Sequence, residues 1–439
     1  MPTRPRERLK RIRGFLAERE RRAAYRFDDV PDPRDPRGVQ WSLGVMLRAT
    51  WMALLVGASS IREIESMTED LGTARRRDGR LDRLPDSTLE YVLPDVEWQA
   101  LRRKLVDQIH DMQRAKALEP LGLPFGLLVV DGKALGSYDN DAGGVGQKNE
   151  REDGTPYWLV RVLRAVLVTA PTKPCIDQQP IAAETNDMGA FPSLWKGLLE
   201  AYGGSNLFEA VSADAGFTSL ANATLIDGAG KGYVLGLKGN QPELLAEARR
   251  LLEPILDAKT GAYRVAPEAE SPWERHKGTR IRRQVWRTSE LAGWGEWTHL
   301  RQVVLVRQTT EDPSGGKAPV IEDRYFVTNL VAGRLDGAQW ITLVRMHWGI
   351  ENNCFGTLDL RWLEDSRLCC RQGHAPLVLG LLRVMAYNVL GWLRGRHLRS
   401  ETNRAMTWRE LFDRVRLALA LVLDAPDACE WAAEPAPSA

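Results

Sequence analysis

The sequence predicts an α/β fold, a mixed β-sheet with flanking helices, preceded by a helical N-terminal region and carrying a β-rich insertion late in the chain. Three observations predict it. Phe125-Gly-Leu-Leu-Val-Val-Asp131 is a continuous apolar run, the pattern of a strand buried on both faces. From there to Leu256, strand-like and helix-like segments follow in an order that suits a sheet with crossover helices. Residues 1–120, by contrast, show helical spacing of their apolar side chains.

Composition narrows the class. At 439 residues with 44% hydrophobic and 27% charged content, the chain can bury a large core and is neither fibrous nor disordered. Its 60 basic and 58 acidic residues leave a net charge of +2, so a nucleic-acid surface has to come from segregated charge. Five cysteines (Cys175, Cys354, Cys369, Cys370 and Cys429) are too few and too odd in number for a disulfide scaffold and suit a reducing cytosol. The arginine-rich N-terminus is followed by no apolar core of a secretory signal. The most apolar stretch, Ala375–Leu393, holds Arg383 and Asn388, which marks a buried helix rather than a membrane span.

In chain order, Pro5–Phe27 is arginine-dense and helical, and Pro31, Pro33 and Pro36 then break the chain. Trp41–Ile61 is strongly apolar, with Ile61, Ile64 and Met67 at helical spacing, and Asp86 or Ser87 is expected to cap a helix carrying Leu89, Val92 and Leu93. Arg75, Arg76, Arg77 and Arg80 form a basic loop, either a solvated turn or a phosphate contact. The strands expected next are Phe125–Asp131, Tyr157–Thr169, Cys175–Ala183, Phe208–Asp214 and Gly232–Leu237, with helices at Ala190–Tyr202, Leu220–Ile226 and Pro242–Leu256. Three strands in succession form an antiparallel meander, and the later alternation adds parallel strands. That order matches the ribonuclease-H-like architecture and puts the first and fourth strands side by side. Leu300–Val306 and Arg324–Leu330 are strand-like, helix resumes near Gln339 and runs past Glu351, and Ala375–Arg394 and Thr407–Leu423 close the fold. The expected units are a helical region 1–120, a core in two parts, 121–258 and 336–425, an insertion 259–335, and a frayed tail 426–439.

Asp131 and Asp214 each end an expected strand, at the sheet rim where open α/β folds place their sites. Two neighbouring aspartates repel unless a cation lies between them, and a hard divalent ion such as Mg²⁺ prefers such oxygen ligands. Each could instead be a turn or cap residue. On the expected late helix, Leu343, Met346 and Ile350 form the buried stripe, while Arg345, Trp348 and Asn352 lie beside it and His347 sits one turn before Glu351. Arg275-His276-Lys277-Gly278-Thr279-Arg280-Ile-Arg282-Arg283, with Trp273, Trp286 and Arg287, suits phosphate binding with stacking as well as it suits a solvated hairpin face. Cys354, Cys369, Cys370 and His374 lack a recurrent zinc spacing, and the cysteines are read as buried thiols, while Gly143-Gly-Val-Gly is no nucleotide loop.

Four strings in this order, Val130-Asp131-Gly132-Lys133-Ala134-Leu135, Ser212-Ala213-Asp214-Ala215, Tyr233-Val-Leu-Gly-Leu-Lys238-Gly239-Asn240-Gln241 and Arg345-Met-His347-Trp348-Gly-Ile-Glu351-Asn352, resemble the DDE transposases of bacterial insertion sequences, in the branch that includes the H-repeat-associated proteins. Leu84-Pro-Asp-Ser-Thr, Glu184-Thr-Asn-Asp, Arg324-Tyr-Phe-Val-Thr-Asn-Leu and Leu358-Asp-Leu-Arg-Trp-Leu-Glu364-Asp365 extend the resemblance from about Ile61 to Leu393. The sequence departs from the family at Ala215-Gly-Phe-Thr and at Asn353-Cys354-Phe355-Gly356. The resemblance implies that Asp131, Asp214 and Glu351 are the catalytic, metal-binding triad for two Mg²⁺ ions, with Mn²⁺ as a substitute. It implies strand cleavage and strand transfer at the terminal inverted repeats of an element. DNA contacts are then expected from Lys238, Asn240, Gln241, Arg345, His347 and Trp348, with Arg280, Arg282 and Arg283 added from the basic segment and DNA-end binding by residues 1–120. The expected partners are double-stranded terminal-repeat and target DNA, with a homodimer or larger assembly on that DNA, in the bacterial cytoplasm and away from membranes. A domesticated relative that binds DNA without cutting it, and a ribonuclease-H-like nuclease without strand transfer, are the alternatives.

Overall fold

The computed structural model describes residues 5–139, 144–256, 263–276, 278–314, 316, 318–366, 373–398, 400 and 404–423. The expected tail, Gly143, Lys277, Cys369, Cys370 and Cys429 lie outside the described residues.

Five helices come first: α1 (Pro5–Glu20), α2 (Leu43–Leu55), α3 (Ile61–Leu71), α4 (Asp86–Val92) and α5 (Trp98–Arg114). Local chemistry sets the starts of α2 and α3. Ser42 and Ser60 accept from the backbone amides of Val45 and Glu63. At α4 the expected cap is absent: Pro85 precedes the helix, no side chain caps it, and Asp86 stands in its first turn. A buried carboxylate ties the N-terminal region together. Asp111 of α5 accepts from Arg19 Nη1 and Tyr25 Oη, both at 3.1 Å, and pairs with Arg22.

The sheet has eleven strands: β1 (Leu127–Tyr138), β2 (Gln147–Glu150), β3 (Pro156–Leu167), β4 (Cys175–Pro180), β5 (Ala210–Ala213), β6 (Gly232–Leu237), β7 (Ala269–Glu270), β8 (Glu274–His276), β9 (Thr279–Thr288), β10 (Gln302–Glu311) and β11 (Val320–Thr328). Its order is β2-β3-β1-β5-β6-β11-β10-β9-β7, with β4 on β3 and β8 on β9. The β1–β3–β4 meander is antiparallel and the β1–β5 and β5–β6 pairs are parallel, so the first and fourth expected strands are neighbours. Helices α6 (Asp187–Tyr202), α7 (Leu220–Gly228) and α8 (Pro242–Leu252) fall between these strands in the chain.

Two expectations change. β1 does not end at Asp131 but runs on to Tyr138, because β3 continues to pair with it through a bulge between Ala134 and Gly136. The β-rich segment is an extension of the main sheet, since β11 pairs with β6 from Leu237–Tyr325 to Val234–Thr328. β9 lies in the basic stretch for which a solvated hairpin face is one of two readings. Five of its residues are Arg or Gln, and the acids opposite them hide the alternation that marks a strand.

The last helices are α9 (Gly337–His347), α10 (Gly356–Trp362), α11 (Ala375–Trp392) and α12 (Trp408–Leu423), with a π-helical segment, Ile350–Phe355, leading into α10. Every residue of α11 is buried. Helices α2 and α5 pack on it, so the N-terminal helices share one core with the end of the chain. Asn388 explains the polar group inside that apolar helix: its amide bonds both the N–H and the C=O of Cys175 on β4, at 2.9 and 2.8 Å.

Candidate active site

Asp131 lies where the parallel ladder stops. Val130 faces Ala213, the last residue of β5, so Asp131 stands beside Asp214 although β1 itself continues. The backbone N–H of Gly132 donates to Asp131 Oδ1 at 2.7 Å. Gly132 has to be glycine, because a Cβ there would sit 2.8 Å from Asp187 Oδ1. Asp187 opens α6 and accepts from Arg161 Nη2 at 2.7 Å, while Asn186 caps that helix. The Glu184-Thr-Asn-Asp string therefore buttresses the back of the Asp131 turn.

Asp214 is held from the other side. His347, at the end of α9, bonds Asp214 Oδ1 through Nε2 at 2.8 Å and Ser212 Oγ through Nδ1 at 2.9 Å. Ser212 in turn donates to the Val234 carbonyl at 3.0 Å, so strands β5 and β6 fix the ring. His347 is buried, and its partner is Asp214 rather than the Glu351 one turn away. That places it inside the site and off the DNA-facing surface expected for it. Ser212 was not singled out from the sequence; its serine on a fully buried strand was the available signal.

Charge follows geometry. Burial, and then the carboxylates of Asp214 and Glu351, push Asp131 up to about 7 against the opposing pull of the Gly132 amide and His347. The His347 hydrogen bond, with the charges of Lys238 and Arg324, holds Asp214 below the usual carboxylate range despite some burial. Glu351 is exposed on the π-helical segment, a helical irregularity frequent at functional sites. Asp131 thus feels the charge of both other carboxylates. Among the described residues, however, no three His, Cys, Asp or Glu side chains are gathered closely enough to hold a metal ion as they stand.

Glu351 begins a stripe, Glu351, Phe355 and Asp359, that faces β1. Lys133, two residues after Asp131 and on the same face, packs its Nζ 5.7 Å from the Phe355 ring and bonds both Asp359 oxygens at 2.5 and 2.6 Å. Directly after α10, Glu364 makes a bidentate pair with Arg164 at 2.6 and 2.8 Å, both side chains fully buried. Arg164 is the β3 partner of Asp131.

The remaining expected contacts divide. The Asn240 amide donates to the carbonyls of Ala215 and Thr218 at 2.8 and 3.0 Å, and Gln241 reaches Thr218 at 3.5 Å, so they brace the turn after Asp214. Lys238 is exposed nearby. Trp348 lies under Arg324, whose guanidinium is 4.2 Å from the ring centre. Arg345 and Arg283 both reach Glu274, at 2.8 and 3.3 Å. Arg280 and Arg282 flank Trp273 and pair with Glu311 and Glu270. Of the thiols read as buried, Cys354 is so, and Cys175 on β4 is buried as well.

Two aspartates at neighbouring strand positions, beside a late helix that leads to a glutamate, are the arrangement to which the sequence motifs pointed, and comparison with known proteins finds the following similarities. Residues 24–108 match the DDE_Tnp_1-associated family model. A protein of Escherichia coli O157:H7 described as "Putative transposase YncI" is 23% identical over 371 residues, covering 82% of this chain and 85% of its own. The solved piggyBac transposase synaptic complex with hairpin DNA aligns over 98% of this chain and 84% of its own at 11% identity, with a TM-score of 0.40. The family-model match and the curated relative support a bacterial transposase of the DDE type.

Proposed function

We propose that this transposase performs metal-dependent cleavage and strand transfer of DNA at the ends of an insertion sequence, with Asp131, Asp214 and Glu351 as its catalytic carboxylates. The observation that carries the reading is the meeting of Asp131 and Asp214 at the end of the β1–β5 ladder, under a helix whose His347 grips Asp214 and whose next turn bears Glu351.

The donor set suits a hard divalent ion: three carboxylates, of which Asp131 is pushed toward protonation by burial and then by the charge of the other two. Mg²⁺ or Mn²⁺ held there would activate the attacking oxygen and stabilise the leaving oxygen of an in-line displacement at phosphorus. The chain's own part is positioning. The Gly132 amide orients Asp131, His347 and Ser212 orient Asp214, and Lys133 and Arg164 anchor the helix that follows Glu351. Terminal inverted repeats and target DNA are the proposed substrates, bound by a dimer or larger assembly.

The test is incubation with duplex DNA from the flanking genomic repeats and Mg²⁺, with nicks mapped and a labelled 3′ end followed into target DNA. Asp131→Asn, Asp214→Asn and Glu351→Gln should each abolish nicking while leaving folding and DNA binding intact. Nicking retained by one of these variants removes that residue from the triad. Binding without nicking by the wild-type chain would favour the DNA-binding relative, and nicking without joining the simple nuclease.

A further inference from the structure

Beyond Asp214 the same sheet face carries basic side chains that the carboxylate pocket does not use. Lys238 and Arg324 stand one step past Leu237 and Tyr325, the last paired residues of β6 and β11. Arg324 pairs with Val306 of β10, and Val306 with Val285 of β9. Arg283 is two residues from Val285 and so leaves β9 on that face. Neighbouring strands are about 4.8 Å apart, so Lys238 to Arg283 spans roughly 14 Å, leading outward from Asp214. Arg345 joins from α9, which packs on β9.

The acids in this strip are arranged unlike those elsewhere on β9. Arg280, Arg282 and Arg287 each have their own partner, Glu311, Glu270 and Glu268. Arg283 and Arg345 instead share one carboxylate, Glu274, which sits on the three-residue strand β8. Burial and the crowding charges of Arg345 and Arg324 weaken the hold of Arg283 on its proton. Arg324 lies flat on Trp348, with its outer edge on Glu322. An anion with several oxygens would satisfy this crowd of guanidinium groups better than a single carboxylate does.

We propose that Lys238, Arg324, Arg345 and Arg283 form a track for the phosphates of a DNA strand entering the carboxylate pocket, and that Glu274 occupies its outer end until a phosphate displaces it. This rests on the reading of the pocket as a DNA-processing centre. Glu274 thereby competes with DNA, and Arg283 and Arg345 are held in place for the phosphate by the group that it replaces.

Fluorescence anisotropy with a labelled random-sequence duplex, using the full chain without divalent metal, tests this. Removing a competitor held by two partly exposed ion pairs should tighten binding in Glu274→Gln by about two- to tenfold. The salt dependence should steepen, by up to about 0.9 in log K against log salt for each freed arginine. Arg283→Gln and Arg345→Gln, made in the Glu274→Gln background, should each remove that gain. Thermal melting reports on folding, and a gain in affinity counts only for a variant that melts cooperatively near the wild-type temperature. Unchanged or weaker binding by a folded Glu274→Gln protein overturns the proposal, as does a gain that survives both arginine changes. Nicking by the wild-type chain is scored separately: its absence alongside a tighter Glu274→Gln complex sinks the transposase chemistry and leaves the track standing.

Discussion

The pair Arg164–Glu364 gives the sharpest test of how the late helix is fixed. Both side chains are fully buried, with two bonds between them at 2.6 and 2.8 Å. Arg164 also donates from Nε and Nη2 to Gln178 Oε1, at 2.9 and 2.7 Å, so its donors toward Glu364 have no neutral substitute. Glu364→Gln turns one of the two acceptors into a donor facing a donor and leaves the guanidinium uncompensated in the core. Breaking a buried pair from one side costs about 3–5 kcal/mol. With a urea slope of about 3 kcal/mol/M, the unfolding midpoint should fall by roughly 1 M. The double variant Arg164→Met/Glu364→Leu should recover most of the loss, because it removes both desolvation penalties. pH adds a second reading. Burial alone would raise Glu364, but Arg164, with Arg383 and Lys133, outweighs it and holds the carboxyl below the usual range. The folded pKa is thus below the unfolded one, so the stabilisation is full above the unfolded value near 4.3 and fades as pH falls through the lower folded value. Glu364→Gln should lose that acid dependence. A single variant with a wild-type midpoint, or a double variant worse than the single, refutes the account.

Three further outcomes are expected. Nicking should require Mg²⁺ or Mn²⁺ and stop with EDTA, with Ca²⁺ supporting DNA binding but little chemistry; turnover in excess chelator excludes the mechanism. Lys133→Met and Asp359→Asn release the stripe that begins at Glu351 from β1, and should slow nicking about 10–100-fold while also weakening Mn²⁺ binding measured by calorimetry. A loss of nicking with metal affinity unchanged would assign Lys133 to the DNA instead. Ser212→Ala removes one of the two bonds that orient His347 and should lower the nicking rate without shifting the melting temperature by more than a few degrees.

The sheet order and the neighbouring aspartates were legible because they rest on period and sequence order. Leu127–Val130 and Ala210–Ala213 are buried on both faces, and such runs are readable without any partner. The same reading failed where a strand's neutrality comes from elsewhere. Arg280, Arg282, Arg283 and Arg287 look like a basic patch in the chain, but β9 brings each against an acid from another segment. The end of β1 was misjudged for a related reason: its second half, Gly132–Tyr138, is held by pairing with β3, a long-range contact with no local signature. The motif strings also mix two roles that sequence cannot separate. Asn240 and Asn329 stand in them as joints, Asn240 on the turn after Asp214 and Asn329 bonding the Tyr233 N–H and Lys231 carbonyl at the start of β6.

The three carboxylates differ in how they are held. Asp131 is fixed by its strand and the Gly132 amide, and Asp214 by His347, so both are set by the sheet. Glu351 is exposed, and its anchors are remote: Lys133 grips Asp359 two turns on, and Arg164 grips Glu364 beyond the helix end. Between those anchors and Glu351 lies the π-helical segment Ile350–Phe355. Asp131 is raised first by burial and then by the charges of Asp214 and Glu351, so neutralising charge near it would favour its ionised form. Of the three carboxylates proposed as catalytic, two are therefore held by direct hydrogen bonds and the third only through remote anchors, which is why Lys133 and Asp359 are the positions whose loss should separate positioning from chemistry.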